Sequence, residues 1–276
     1  MLFDILKESI KISLFVFGMM VLVDFLSILT KGRFGEAIKG KVWRQYFVSS
    51  SLGVTPGCLG AFLNVSLYGH GLLSLGAIVG GMIATSGDEA FVMLSLFPEN
   101  ALLLFGILFL SGLFFSRVTD FLAPRLKIRP CEECILHEYH SEKASPRHYI
   151  VDHLWGHIIK KHLIKIFLWT FLALLVLEFG LKNWDLELFV QNNLGWVMLI
   201  AALVGVIPES GPHLIFVMMF HKGMIPFSVL LVSSFVQDGH GMLPLFSYSV
   251  KDFITIKAFN LGFGLILGIV LLILKL

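Results

Sequence analysis

Side chains able to hold a metal cation stand wherever the long apolar stretches of this chain are interrupted. Cys58 lies in a break at 55–60 with Asn64 just beyond it, and Asp88 and Glu89 close a break at 85–89. Glu209, Ser210 and His213 occupy a break at 208–213, and Gln237, Asp238 and His240 occupy one at 237–241. Carboxylates, imidazoles, one thiol, amides and a hydroxyl suit a divalent transition metal better than a hard alkali ion. Ionisable groups inside an apolar span are expensive and are functional candidates by default. Plainer roles exist for some of them. Asp88 and Glu89 fit a helix N-cap. Cys58 fits a small buried hydrophobe.

A second constellation lies between the apolar stretches. Cys131, Cys134, His137 and His140 form C-x-x-C followed by H-x-x-H. Two thiolates and two imidazoles so close together suit zinc, copper or iron(II). His153 and His157 follow at i, i+4, on one face if helical. Six of the ten histidines fall between 137 and 162, a concentration that reads as metal binding rather than an ordinary polar loop. No thioredoxin-like βαβ pattern surrounds the C-x-x-C, which argues against redox exchange.

The elements that position these residues belong in lipid. Hydrophobic residues make up 57% of the 276 and charged residues 14%, with a mean hydropathy of +0.86. Soluble domains carry about 25% charged residues. Apolar stretches at 10–30, 100–118, 163–181 and 253–275 are long enough to span. Those at 45–69, 71–97, 194–220 and 224–249 are interrupted. Such interruptions are tolerated only where backbone lines a cavity or is buried in protein.

The interruptions repeat. Gly53-Val54-Thr55-Pro56 and Gly205-Val206-Ile207-Pro208 lie 152 residues apart, and at that offset Gly71 matches Gly223 and Gly87 matches Gly239. Loop charges bear on orientation, because basic short loops stay in the cytoplasm. The 31–44 loop carries Lys31, Arg33, Lys39, Lys41 and Arg44, while its counterpart at 182–193 carries only Lys182 against Asp185 and Glu187. The expected fold is an all-α integral membrane protein. It has two inverted repeats of about five transmembrane segments, with discontinuous helices broken at Pro56 and Pro208. Residues 1–118 form the first repeat, 119–162 a cytoplasmic Cys/His-rich loop, and 163–276 the second repeat. Segments 88–97 and 240–249 are too short to cross alone and read as half-helices or re-entrant pieces.

At the paired breaks, the Thr85-Ser86-Gly87-Asp88-Glu89 and Gln237-Asp238-Gly239-His240-Gly241 motifs and the Cys/His loop, the chain resembles the ten-transmembrane heavy-metal exporters. Members of that family go by the names of arsenic efflux proteins or manganese transporters. The resemblance implies metal or metalloid efflux across the bacterial inner membrane. Arsenite calls for several thiols, and only Cys58 lies in the membrane part, which favours a divalent metal.

The expected function is secondary export of a divalent transition metal, iron or manganese first and zinc next, by a protein that is not an enzyme. There is no nucleotide-binding G-x-x-x-x-G-K-[ST], so the drive is an ion gradient or the partner's own gradient, with protons the candidate counter-ion. The expected partners are the metal itself, the lipid bilayer and, for assembly, a second copy in a homo-oligomer; no organic cofactor or nucleic acid is expected. Two other readings stand beside this one. One is an intramembrane lipid-pyrophosphate phosphatase, against which Pro208-Glu209-Ser210-Gly211-Pro212-His213 offers no arginine for phosphate. The other is a metal sensor or scaffold that transports nothing.

Overall fold

The computed structural model describes residues 41–69, 71–128, 190 and 192–274, with scattered helical positions between 3 and 14 and between 164 and 179. The Cys/His segment, including Cys131, Cys134, His137, His140, His153 and His157, lies outside the described residues, as does most of the first expected span. Every regular element among the described residues is helical. The first set comprises α1 (Val42–Gly53), α2 (Leu59–Gly69), α3 (Leu75–Ile83), α4 (Glu89–Leu96) and α5 (Pro98–Arg125). The second comprises α6 (Leu194–Gly205), α7 (Leu214–His221, preceded by the 3-10 turn Gly211–His213), α8 (Phe227–Val236), α9 (Leu243–Tyr248, preceded by the 3-10 turn Gly239–Met242) and α10 (Val250–Ile273).

The helix boundaries recur at the offset seen in the sequence. Val42 and Gly53 match Leu194 and Gly205 at 152 residues, the separation that also relates Thr85 to Gln237. Pro98 likewise matches Val250. The backbone repeats as well: Gly71 and Gly223 both have φ of 70°, and Gly87 and Gly239 have 55° and 54°. That left-handed region is open to glycine with little penalty.

The 45–69 stretch does not run on through its break; it folds back. The Asn64 side-chain amide donates to the Ser49 carbonyl at 2.9 Å, and Gly60 rests against Leu52 and Thr55. Residue 60 near 52 and residue 64 near 49 mean that α1 and α2 are antiparallel. A Cβ at Gly60 would collide with the Leu52 carbonyl, so the close return depends on glycine. Arms of 12 and 11 residues are about 18 and 17 Å long at the helical rise. Neither can cross a hydrocarbon core of about 30 Å. The count of about five segments per half takes 45–69 as one span, yet its two arms form a hairpin.

The second interrupted stretch does run through. Gly76 packs on Ser116 and Gly80 on Gly112, so α3 is antiparallel to α5. The chain must then reach Pro98, at the far end of α5, and α4 carries it there. At 28 residues α5 is about 42 Å long, and α10 with 24 is about 36 Å, enough to cross. Both present large apolar side chains outward, such as Leu102, Leu110 and Phe114 on α5 and Ile254, Ile266 and Ile269 on α10.

The two halves meet through matched junctions. Tyr68, at the end of α2, donates its hydroxyl to Asp252 in the first turn of α10 at 3.1 Å. Phe220, the residue matched to Tyr68, packs edge-on against Phe97, just ahead of α5, at 4.9 Å. The two contacts join corresponding parts of the chain, once polar and once aromatic, although Phe97 matches Ser249 and not Asp252.

One carboxylate fixes the start of α3. Asp120 accepts hydrogen bonds from the Tyr46 hydroxyl (2.7 Å), the Ser74 hydroxyl (2.6 Å) and the Gly76 N–H (2.7 Å). Ser74 is itself the N-cap of α3 and accepts from the Ala77 N–H. Asp120→Ala removes the acceptor for three donors. It is expected to lower unfolding stability by about 3 kcal/mol, given the strength of hydrogen bonds to charged groups. Thermal unfolding of the detergent-purified protein checks this; Asp120→Asn should recover part of the loss.

Candidate functional site

The interruptions expected from the sequence converge at one place. In the first half, the Gly57 N–H donates to the Gly87 carbonyl at 3.0 Å, which ties the hairpin tip to the gap between α3 and α4. Gly57 has a φ of 93°, and a Cβ there would press on the Phe91 ring. Of the carbonyls freed at the tip, that of Leu52 is taken by the Thr55 hydroxyl at 2.5 Å. Side-chain donors of this kind satisfy helix ends and leave fewer bare carbonyls for an ion.

Asp88 occupies the N-cap position of α4 but makes no capping bond. The Cys58 thiol donates to its Oδ1 at 3.3 Å instead. From the second half comes His240. Ligand atoms of Cys58, Asp88 and His240 all lie within 4.8 Å of one another. His240 Nε2 also meets Glu209 Oε1 at 2.6 Å. Cys58 and Asp88 are buried, and Glu209 keeps 29% of its side chain accessible.

Glycine permits this approach of the two halves. A Cβ on Gly87 would press on the Ser210 hydroxyl of the other half at 3.1 Å, and one on Gly239 would lie 3.8 Å from the Gly87 Cα. The same Cβ on Gly239 would stand 2.7 Å from Ser210 Oγ and 3.8 Å from Cys58 Sγ. A further tie joins matched positions: the Gln237 side-chain amide donates to the Thr85 carbonyl at 3.0 Å.

The remaining sequence candidates are placed as follows. Glu89 is buried with Oε2 lacking a hydrogen-bond partner, and Ser210 Oγ and Gln237 Oε1 are in the same situation. Buried polar oxygens are normally satisfied; Ser210 Oγ and Gln237 Oε1 both lie beside Gly87, so the orphaned oxygens there point to a ligand. Asn64 holds the hairpin through Ser49 and is not in the three-residue cluster. His213 is buried in the turn ahead of α7, also outside the cluster.

Asp238 is committed elsewhere by one oxygen, while its Oδ2 is buried without a hydrogen-bond partner. Its Oδ1 accepts from Lys257 Nζ at 2.6 Å, and the same ammonium donates to the Gly205 carbonyl at 3.2 Å. Lys257, on α10, is absent from the residues that the sequence singled out. The signal was present: a lysine inside the apolar run 253–275 is an intramembrane charge, which by itself marks a site.

Two long apolar helices with outward hydrophobic faces, and charged groups turned inward, are features of a membrane protein with a polar centre. The sequence profile of the family described as "Putative, 10TM heavy-metal exporter" matches residues 3–174 and 157–274. The chain belongs to that family. No curated protein and no solved structure matches it.

Proposed function

We propose that this protein is a secondary exporter of a divalent transition metal, and that the cluster at the helix breaks is its cargo site. The observation that carries this reading is the meeting of one sulfur, one carboxylate and one imidazole, drawn from both halves, within 4.8 Å. Cys58, Asp88 and His240 are the ligands, with Glu209 orienting the His240 ring or adding an oxygen. Glu89, Ser210 and Gln237 complete the surroundings. A mixed S, N, O set suits iron(II) or zinc, with manganese the third candidate.

The two halves act as inverted repeats in the cytoplasmic membrane of a bacterium. The recurring helix boundaries and the corresponding Tyr68–Asp252 and Phe97–Phe220 contacts support this. With the basic 31–44 loop inside, the α1–α2 hairpin dips from the cytoplasmic side and the α6–α7 hairpin from the outer side. Their tips meet near the midplane. Alternating access then comes from rocking one half against the other about the joined tips. Ligands must be deprotonated to bind metal, so protons are the natural counter-ion. The segment carrying Cys131 and Cys134 captures metal on the cytoplasmic side.

Reconstitution in liposomes tests the reading directly. Purified protein is expected to move iron(II) or zinc, with weaker flux of manganese and none of arsenite. Retained metal binding without flux of any ion would point instead to a sensor. Phosphate release from a polyprenyl pyrophosphate would point to the phosphatase.

A further inference from the structure

Among the described residues, Lys257 is the only lysine or arginine that is buried, with 4% of its side chain accessible against 0% for Asp238. Its ammonium sits between the Asp238 carboxylate and the carbonyl of Gly205, the last residue of α6. A helix C-terminus carries partial negative charge, so both neighbours of the ammonium are anionic in character. Asp238 directly precedes Gly239, which packs close to Cys58, and stands two residues before His240. A carboxylate beside the candidate cargo site is therefore neutralised by a cation tethered to another helix.

The pair belongs to one half only. At the 152-residue offset, Lys257, Asp238 and Gly205 correspond to Phe105, Ser86 and Gly53. The first half builds the same backbone with neither charge, so the fold itself does not require the pair. Buried ion pairs are weak stabilisers compared with apolar packing, which leaves their retention to be explained by something other than stability.

We propose that Lys257 is a specificity-determining residue of the cargo site: it holds one oxygen of Asp238 and offsets its charge, so that the metal meets one sulfur, one nitrogen and one carboxylate. This rests on the cargo-site reading above. Without the ammonium, Asp238 contributes a further anionic oxygen beside Cys58, Asp88 and His240. An oxygen-richer site favours manganese over zinc.

The test uses the full-length, detergent-purified protein and its relative affinity for manganese and zinc. Cobalt(II) serves first, because a thiolate ligand gives a charge-transfer band that Cys58→Ser removes. Absence of that band in the wild type overturns the cargo-site reading and this proposal with it. If the band is present, Lys257→Met is expected to shift the manganese-to-zinc affinity ratio toward manganese by about tenfold. Asp238→Asn combined with Lys257→Met should return the ratio to the wild-type value, and Lys257→Arg should keep it. Lys257→Gln removes the ammonium but leaves a polar side chain in the buried position, and gives the same shift should the methionine variant fold poorly. An unchanged ratio in every folded single variant overturns the proposal and leaves Lys257 a structural residue. Loss of the cobalt band in the folded double variant also overturns it, because Asp238 would then be a cargo ligand.

Discussion

Cys58→Ser and Asp88→Asn are each expected to weaken metal binding by about 100-fold or more and to abolish export. Each removes one of the three ligands that lie within 4.8 Å of one another among the described residues, and even outer-shell partners of metal ligands are worth about 10–100-fold. The serine change replaces a soft sulfur by a hard hydroxyl, so its effect should be larger for iron(II) and zinc than for manganese. Asparagine keeps the shape of Asp88 and its ability to accept from the Cys58 thiol, and removes the charge. A fold defect is therefore a poor explanation for any loss it causes. Glu209→Ala should act more mildly, by about 10-fold, through the orientation of the His240 ring. Cobalt(II) titration and metal flux in liposomes read these effects. Wild-type affinity and flux in both Cys58→Ser and Asp88→Asn would rule out the cluster as the cargo site.

Much of this centre was legible in the sequence because lipid makes charge conspicuous. Cys58, Asp88, Glu209 and His240 stood out as polar residues at interruptions, and the structure gathers them. What sequence could not supply was direction. An apolar stretch with a proline in it reads the same whether the chain continues through the break or turns back. The difference between 45–69 and 71–97 lies in which glycines face which carbonyls: Gly60 against Leu52 returns α2 along α1, whereas Gly76 and Gly80 lay α3 along α5. Side-chain pairing was equally hidden. Asp238 and Asn64 look like ligands by type and place, yet one is held by Lys257 and the other holds Ser49. Partners 19 and 15 residues away leave no periodic trace at the residue itself.

Gly80→Ala should destabilise the protein more than any other single methyl group added to α3, and should disturb the site without touching it. Gly80 and Gly112 approach backbone to backbone: a Cβ on either would run into the other's carbonyl oxygen. On Gly80 it would also strike the Ser116 hydroxyl, which already donates to the Gly112 carbonyl at 2.7 Å. A carbonyl cannot swing aside as a side chain can, so α3 and α5 must separate. Overpacking of this kind costs about 1–3 kcal/mol for small additions, and Gly80→Leu should prevent folding. Without apolar solvent exclusion between helices, close backbone packing is a main source of their association in lipid. The consequence travels because α3 leads directly into Thr85-Ser86-Gly87-Asp88, the strand of backbone that receives the Gly57 N–H and carries the Asp88 ligand. Moving α3 away from α5 therefore displaces Asp88 relative to Cys58 and His240. Gly80→Ala should lower both the unfolding temperature and the intensity of the cobalt–thiolate band. Gly106→Ala on α5, where a Cβ meets nothing within 4 Å, is the matched control and should leave both unchanged. If Gly80→Ala lowers stability but leaves the cobalt band intact, the position of Asp88 is set by the tie between Gly57 and Gly87 rather than by the packing of α3.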